Sequence, residues 1–219
     1  MPYIGYWQLI KAVDKYVVYD DVNFIKQGWI NRNNLLIDGQ KKLFTIILSG
    51  ASPNKLINEI ELKDDFVKFG KMIRYNYSKS PYFDVVMPIL EDIFNHSNKN
   101  LGQFLRHTIT KICSYLQIDT EILLSSEMQK NNELKAKDKV LHICELLAAT
   151  EYYNAIGGQE LYDKEEFKSH NIDLKFLQTE LTPYKQYKNE FVAGLSIIDV
   201  LMFNSVEEVN KMLDNYELV

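Results

Sequence analysis

The hydrophobic positions of this chain change their period along its length, and the changes mark its elements. Leu9, Ile10 and Val13 recur at helical spacing and predict a short helix over residues 6–13, opened by a turn that contains Pro2 and Gly5. Residues 16–19 (YVVY) form an apolar run of strand length, and residues 19–34 (YDDVNFIKQGWINRNN) are strongly polar. Residues 35–37 and 43–48 flank Asp38-Gly39, a favoured two-residue hairpin turn. After a break at Pro53, residues 56–62 alternate as a half-exposed strand would. From Asp64 onward the period is helical. Phe66, Phe69, Ile73 and Tyr77 share one face, residues 83–94 form a second helix that Pro88 bends, and Leu101, Phe104, Leu105, Ile109, Ile112 and Leu116 stripe a third over 101–116. Strands over 120–124, 151–156 and 172–177 then alternate with helices over 136–149 and 159–169. Helices over 195–203 and 206–216 close the chain.

Strands separated by helices of this length imply βαβ units and a parallel sheet. The expected fold is a single Rossmann-like α/β domain across residues 1–219, with a mostly parallel sheet and a helical insertion over 64–116. One feature is out of place. The helix over 6–13 feeds the strand over 16–19 as a crossover does, yet no strand precedes Pro2. Either the fold begins on the helix, or the chain starts short of its natural beginning.

Composition narrows the setting. A chain of 219 residues buries a core without covalent staples. A net charge of −5 with no basic tract opposes sequence-independent nucleic-acid binding. Cys113 and Cys144 lie in apolar helical segments and read as buried thiols in a reducing cytoplasm. No apolar run is long enough to span a membrane, and no signal peptide is expected. His96, His107, His142 and His170 show neither triad nor metal spacing, so no cofactor or resident metal is expected.

In α/β sheets ligands gather at the C-terminal ends of strands, which makes residues 19–34 the first candidate site. Asp20 and Asp21 are the catalytic candidates. One would accept a proton or hold a hydroxyl, an ammonium group or Mg²⁺, while the other orients the loop; as an alternative, both are solvated turn residues. On extended backbone the two point opposite ways. Within the same loop lie Asn23, Phe24, Trp29, Asn31, Arg32 and Asn33. Trp29 would stack on a sugar or base, the amides would read hydroxyls, and Arg32 would clamp a phosphate or pair with Asp20 or Asp21. Ser125 and Gly158 close predicted strands ahead of helices, where exposed backbone N–H groups suit phosphate. Tyr184 and Gln186 form a second sugar-like surface, and Asp199 sits among apolar helical residues where it must be paired or protonated. The loop is expected to open into one hollow with the turns at Ser125 and Gly158.

Residues 2–6 (PYIGY), 20–33 (DDVNFIKQGWINRN), the Ser125-Ser126 pair, residues 152–163 (YYNAIGGQELYD), Tyr184 with Gln186, and residues 194–204 (GLSIIDVLMFN) resemble the WbqC-like family in matching order over nearly the whole chain. The resemblance adds Tyr3 and Tyr6 to the substrate-binding candidates. It implies a role in bacterial surface polysaccharide assembly of the O-antigen type. The family typically opens with a strand ending in a Gln-Pro-aromatic segment, which this sequence lacks. The opening turn also resembles that of Rossmann-like nucleotidyltransferases, but Tyr6 stands where those enzymes keep a catalytic His, so nucleotidyl transfer is not supported. The expected activity is acyl or aminoacyl transfer to a nucleotide-linked amino sugar, the alternative being a non-catalytic sugar-nucleotide-binding subunit that assists a partner enzyme. The expected partner is a nucleotide-sugar, with no nucleic acid and no membrane span, and a homodimer is left open.

Overall fold

The computed structural model describes residues 1–188 and 190–219. In chain order the elements are α1 (Ile4–Lys11), β1 (Lys15–Val18), β2 (Arg32–Ile37), β3 (Gln40–Thr45), β4 (Leu48–Ser49), β5 (Glu61–Leu62), α2 (Val67–Tyr77), α3 (Phe83–Phe94), α4 (Leu101–Leu116), β6 (Glu121–Leu124), α5 (Ala136–Leu146), β7 (Glu151–Ala155), α6 (Lys164–Ser169), β8 (Asp173–Thr179), α7 (Ile197–Phe203), α8 (Val206–Leu213) and β9 (Tyr216–Leu218). Single 3-10 turns lie at Ile57–Glu59, Ser125–Glu127 and Ile156–Gly158.

Local chemistry accounts for most boundaries. Asn100 caps α4 by accepting a hydrogen bond from the Gln103 N–H, and Ser205 with Glu208 closes a reciprocal capping box on α8. The β2–β3 hairpin turns on Asp38 and Gly39, at φ 53° and 73°, the left-handed pair that a type I′ turn requires. The helices α2, α3 and α4 turn Ile73 and Tyr77, Leu90 and Ile93, and Ile112 and Leu116 inward, where they join α1, α7 and α8 in the main core. A second, smaller core of Val140, Leu141, Cys144, Phe167, Ile172, Leu174 and Phe176 holds α5 and α6 against β7 and β8.

The sheet departs from expectation, and the Rossmann-like fold class is corrected here. β1 pairs in parallel with β6, from Lys15 opposite Glu121 to Val18 opposite Leu124. β7 pairs in parallel with β8, and β9 adds to β8 in the antiparallel sense. β2–β3 and β4–β5 are separate antiparallel pairs. Among the described residues the strands thus form four small sheets rather than one parallel sheet. The reason is adjacency. Alternating strand and helix signals identify strands that can join one sheet, but the facing edges of β1 and β7 line a cavity of about 460 Å³ instead of meeting. No helix among the described residues is long and apolar enough to cross a membrane.

Candidate functional site

Because β1 and β6 run parallel with Val18 opposite Leu124, the residues that leave their C-terminal ends, 19–21 and 125–126, arrive side by side. Asp20 is 1% exposed. Its carboxylate accepts the Ser126 N–H at 2.9 Å and the Ser126 hydroxyl at 2.6 Å, while its backbone carbonyl accepts the Asn58 N–H at 2.9 Å. It lies against the first turn of α4: a Cβ built on Gly102 would stand 2.8 Å from Asp20 Oδ2. That closeness requires glycine and sets the carboxylate beside the positive end of the helix dipole.

Asp21 points the other way, into a pair of buried lysines. Lys130 Nζ lies 2.7 Å and Lys139 Nζ 2.8 Å from Asp21 Oδ2, with the three side chains only 1%, 7% and 9% exposed. Lys139 also donates to the Asp21 backbone carbonyl at 2.9 Å, and its ammonium sits 5.2 Å from the centroid of the Tyr19 ring. Lys130 donates to the Ser125 carbonyl. Burial pushes the Asp21 carboxyl up, but Lys130 and Lys139, with the Ser125 hydroxyl close by, outweigh it and hold the group below the usual carboxylate range. The Tyr19 phenol is raised to about 12, by burial first and then by the Asp21 charge.

Two ammonium groups on one carboxylate leave an excess positive charge out of water, a costly arrangement without a further partner. Tyr19 Oη, Asp21 Oδ1 and Ser125 Oγ are buried with no hydrogen bond of regular geometry, although the Ser125 hydroxyl stands close enough to the Asp21 carboxylate to help hold it ionised. Buried polar groups are paired as a rule, so these atoms are candidate partners for a ligand's oxygens or for ordered water. Of the cluster, Tyr19 lines the cavity between β1 and β7, while Asp21, Ser125, Lys130 and Lys139 line neither that cavity nor a small apolar one.

The other sequence-predicted residues are dispersed. Asn23 donates to the Pro53 carbonyl at 2.6 Å and bridges Leu56, which pins the loop. Phe24 is 5% exposed and belongs to the main core. Asn31 donates to the Ile46 carbonyl, and Asn33 to the Met1 carbonyl, both at 2.8 Å. Arg32 donates through Nε to the Gly28 carbonyl at 2.8 Å and lies over Trp29, 5.7 Å from the ring centroid; among the described residues it forms no ion pair with Asp20 or Asp21. Trp29 is 66% exposed and lines neither this cavity nor a small apolar one bounded by Phe44, Phe66 and Phe104. Tyr3 lies over Gly5, where a Cβ would meet its hydroxyl, and Tyr6 packs edge-on against Tyr16. Gly158 packs on the Asn154 amide. Ser125 belongs to the lysine cluster, but Gly158 and Trp29 do not line the cavity, which runs instead between Tyr16, Tyr19, Cys144, Tyr152 and Tyr162.

Tyr184 and Gln186 serve a buried carboxylate. Asp199 accepts from the Tyr184 hydroxyl at 2.6 Å, the Gln186 amide at 2.7 Å and the Tyr77 hydroxyl at 2.7 Å. Burial raises the Asp199 pKa despite these donors. Tyr77 also accepts the Leu36 N–H at 3.0 Å, so the network ties α2, β2, α7 and the loop before α7 together.

Sequence reasoning missed Lys130, Lys139 and Gly102. Lys139 left a signal: it stands four positions before Ile143 on the inward face of α5, and a cation on an apolar stripe needs an anionic partner. Lys130 sits in a polar loop and is not distinguishable there by pattern.

A model of the WbqC-like protein family matches residues 1–211. The chain is 27% identical over 209 residues to "Uncharacterized protein Rv1507c" of Mycobacterium tuberculosis, which covers 93% of this chain and 89% of that protein. No solved structure matches the chain. With the family model spanning almost every element described above, the chain belongs to the WbqC-like protein family.

Proposed function

We propose that the protein binds a nucleotide-linked amino sugar in the cytoplasm and takes part in the transfer of an acyl or aminoacyl group to its amine, in the assembly of bacterial surface polysaccharide. The observation that carries this reading is the Lys130–Asp21–Lys139 cluster, in which two buried ammonium groups share one carboxylate oxygen. Lysine ammonium groups are strong partners for phosphate oxygens, and a buried setting strengthens the attraction. The cluster's place at the ends of parallel strands β1 and β6 is where α/β proteins hold ligands. The phosphates would lie against Lys130 and Lys139. The exposed Trp29 ring with Arg32 above it offers a separate stacking face near the surface.

A second reading, a non-catalytic binding subunit, is favoured by the state of the two carboxylates. Asp20 is engaged by Ser126, and Asp21 is held ionised by two lysines and is a weak base for that reason. Titration calorimetry with UDP-linked amino sugars, followed by mass spectrometry of the same mixtures with an acyl donor, separates the readings. Binding with acylated product supports transfer; binding without product supports the subunit; no binding of any nucleotide-sugar rejects both.

A further inference from the structure

Asp20 and Ser126 meet as a base meets a nucleophile. Ser126 is exposed just past the end of β6, and its hydroxyl donates to Asp20 Oδ2 at 2.6 Å. The Ser126 N–H donates to Asp20 Oδ1 at 2.9 Å, which fixes the hydroxyl against its partner. Asp20 is buried and is held in turn by backbone. Its N–H donates to the Val18 carbonyl at 3.0 Å, and its carbonyl accepts the Asn58 N–H at 2.9 Å. A hydroxyl within hydrogen-bond reach of a base, with the base oriented by further groups, is the arrangement that activates a nucleophile.

Two contrasts set this pair apart from its neighbours. Lys130 and Lys139 both go to Asp21, and Asp20 forms no ion pair among the described residues, so no ammonium group opposes a proton arriving on its carboxylate. Ser125 is fully buried, whereas Ser126 is open to solvent. The pair also adjoins the lysine cluster on both segments, since Asp20 precedes Asp21 and Ser126 follows Ser125. On the next residue, Glu127 accepts from the Gln103 amide at 2.9 Å and the Arg106 guanidinium at 2.8 Å. Two donor-bearing side chains of α4 thus stand at the same exposed rim, where donors suit the oxyanion of an acyl transfer.

We propose that Ser126 is the nucleophile and Asp20 its general base in a two-step acyl transfer from a thioester, an inference that rests on the transfer reading above. Engaged by Ser126, Asp20 serves the serine before it serves the sugar amine. In the first step Asp20 Oδ2 takes the hydroxyl proton as Ser126 Oγ attacks the thioester carbonyl carbon. The Oγ–C bond forms, the C–S bond breaks with its electron pair on sulfur, and the proton passes from Asp20 to the departing thiolate. In the second step the amine nitrogen attacks the Ser126 ester. The N–C bond forms, the C–Oγ bond breaks, and an amine proton passes through Asp20 to Oγ. The serine hydroxyl and the carboxylate are restored, and nothing is oxidised or reduced.

The first arm of the test needs no sugar. The native chain is treated with p-nitrophenyl acetate and, separately, with a fluorophosphonate, and the adducts are located by peptide mass spectrometry. Ser126 is expected to carry both groups, at a rate that falls about 100-fold or more in Asp20→Asn, the scale of general-base catalysis. Ser126→Ala is expected to lose the adduct, and Ser49→Ala, at an exposed strand end, to keep it. Labelling of lysines alone overturns the proposal, as does equal labelling of Ser126 in the native chain and in folded Asp20→Asn. Should Asp20→Asn fail to fold, the fluorophosphonate on the native chain decides. An adduct on Ser126 supports the proposal, because unactivated serines do not react, and no adduct overturns it. The second arm supplies a thioester and a UDP-linked amino sugar. N-acylation by folded Ser126→Ala at the native rate overturns the serine mechanism and leaves the transfer reading standing. A Ser126 adduct in a chain that binds no nucleotide-sugar supports the nucleophile and rejects that reading's acceptor.

Discussion

Asp21 is the residue on which the charge balance of the site turns. Replacing it by Asn leaves Lys130 and Lys139 buried beside each other with no counter-charge. Breaking a buried pair of this kind costs about 3–5 kcal/mol. Asp21→Asn is therefore expected to lower the free energy of unfolding in urea by that amount, and Lys130→Met in the same background to recover part of it. The sign with pH follows from the depressed Asp21 carboxyl. The stability it contributes is fully present above the ordinary carboxylate range near pH 4 and is lost as pH falls through the lower folded value. The stacked imidazoles of His96 and His107, 3.9 Å apart, act at higher pH. Burial, then the neighbouring His96, lowers the His107 pKa. The unfolded chain thus binds more protons just below the ordinary imidazole value of about 6.5, and stability rises with pH through that window. Denaturation midpoints at pH 5.5 and 7.5 should converge in His107→Phe. At this scale the sequence disclosed Asp20 and Asp21 as a pair pointing opposite ways, but not their partners. Lys130 and Lys139 lie more than a hundred residues away and reach Asp21 only through the β1–β6 register.

Among the elements, α4 depends on a missing side chain. Gly102→Ala adds a Cβ 2.8 Å from Asp20 Oδ2 and 3.1 Å from Asp20 Cβ. The helix gains about 1 kcal/mol of propensity, while overpacking costs about 1–3 kcal/mol and displaces Asp20 from Ser126. Net destabilisation, read as a lower melting temperature, is expected instead of the gain that an unobstructed helical Gly→Ala change brings. Helices were the legible part of this chain: α3 and α4 fall on the residues that periodicity predicts. The hairpin was legible from Asp38-Gly39. β9 was not, because Tyr216–Leu218 carries no pattern of its own and is defined by pairing to β8. The helix predicted over 159–169 shortens to Lys164–Ser169, where Asp163 caps it by accepting the Glu166 N–H.

For the molecule as a whole, the sequence supplied a list of strands and helices but not the gap between them. Parallel pairing of β1 with β6 and of β7 with β8 agrees with βαβ logic, yet the two pairs are held apart and carry separate cores. Tertiary integrity rests instead on links such as the Asp199 network, which joins segments 122 residues apart in sequence. Tyr77→Phe removes a donor to Asp199 and the acceptor for Leu36 N–H, and a loss of about 1–3 kcal/mol is expected in urea unfolding. Trp29→Ala touches none of this and should leave the melting temperature within about 1 °C, since surface substitutions change stability little.

The most direct measurement of the proposed ligand site is calorimetric titration of a UDP-linked amino sugar into the native chain and into Lys139→Met, each first shown to unfold cooperatively. Measurable binding by the native chain is expected, weakened at least tenfold in Lys139→Met and less in Trp29→Ala. Equal affinity in the native chain and in folded Lys139→Met would contradict the proposed ligand site.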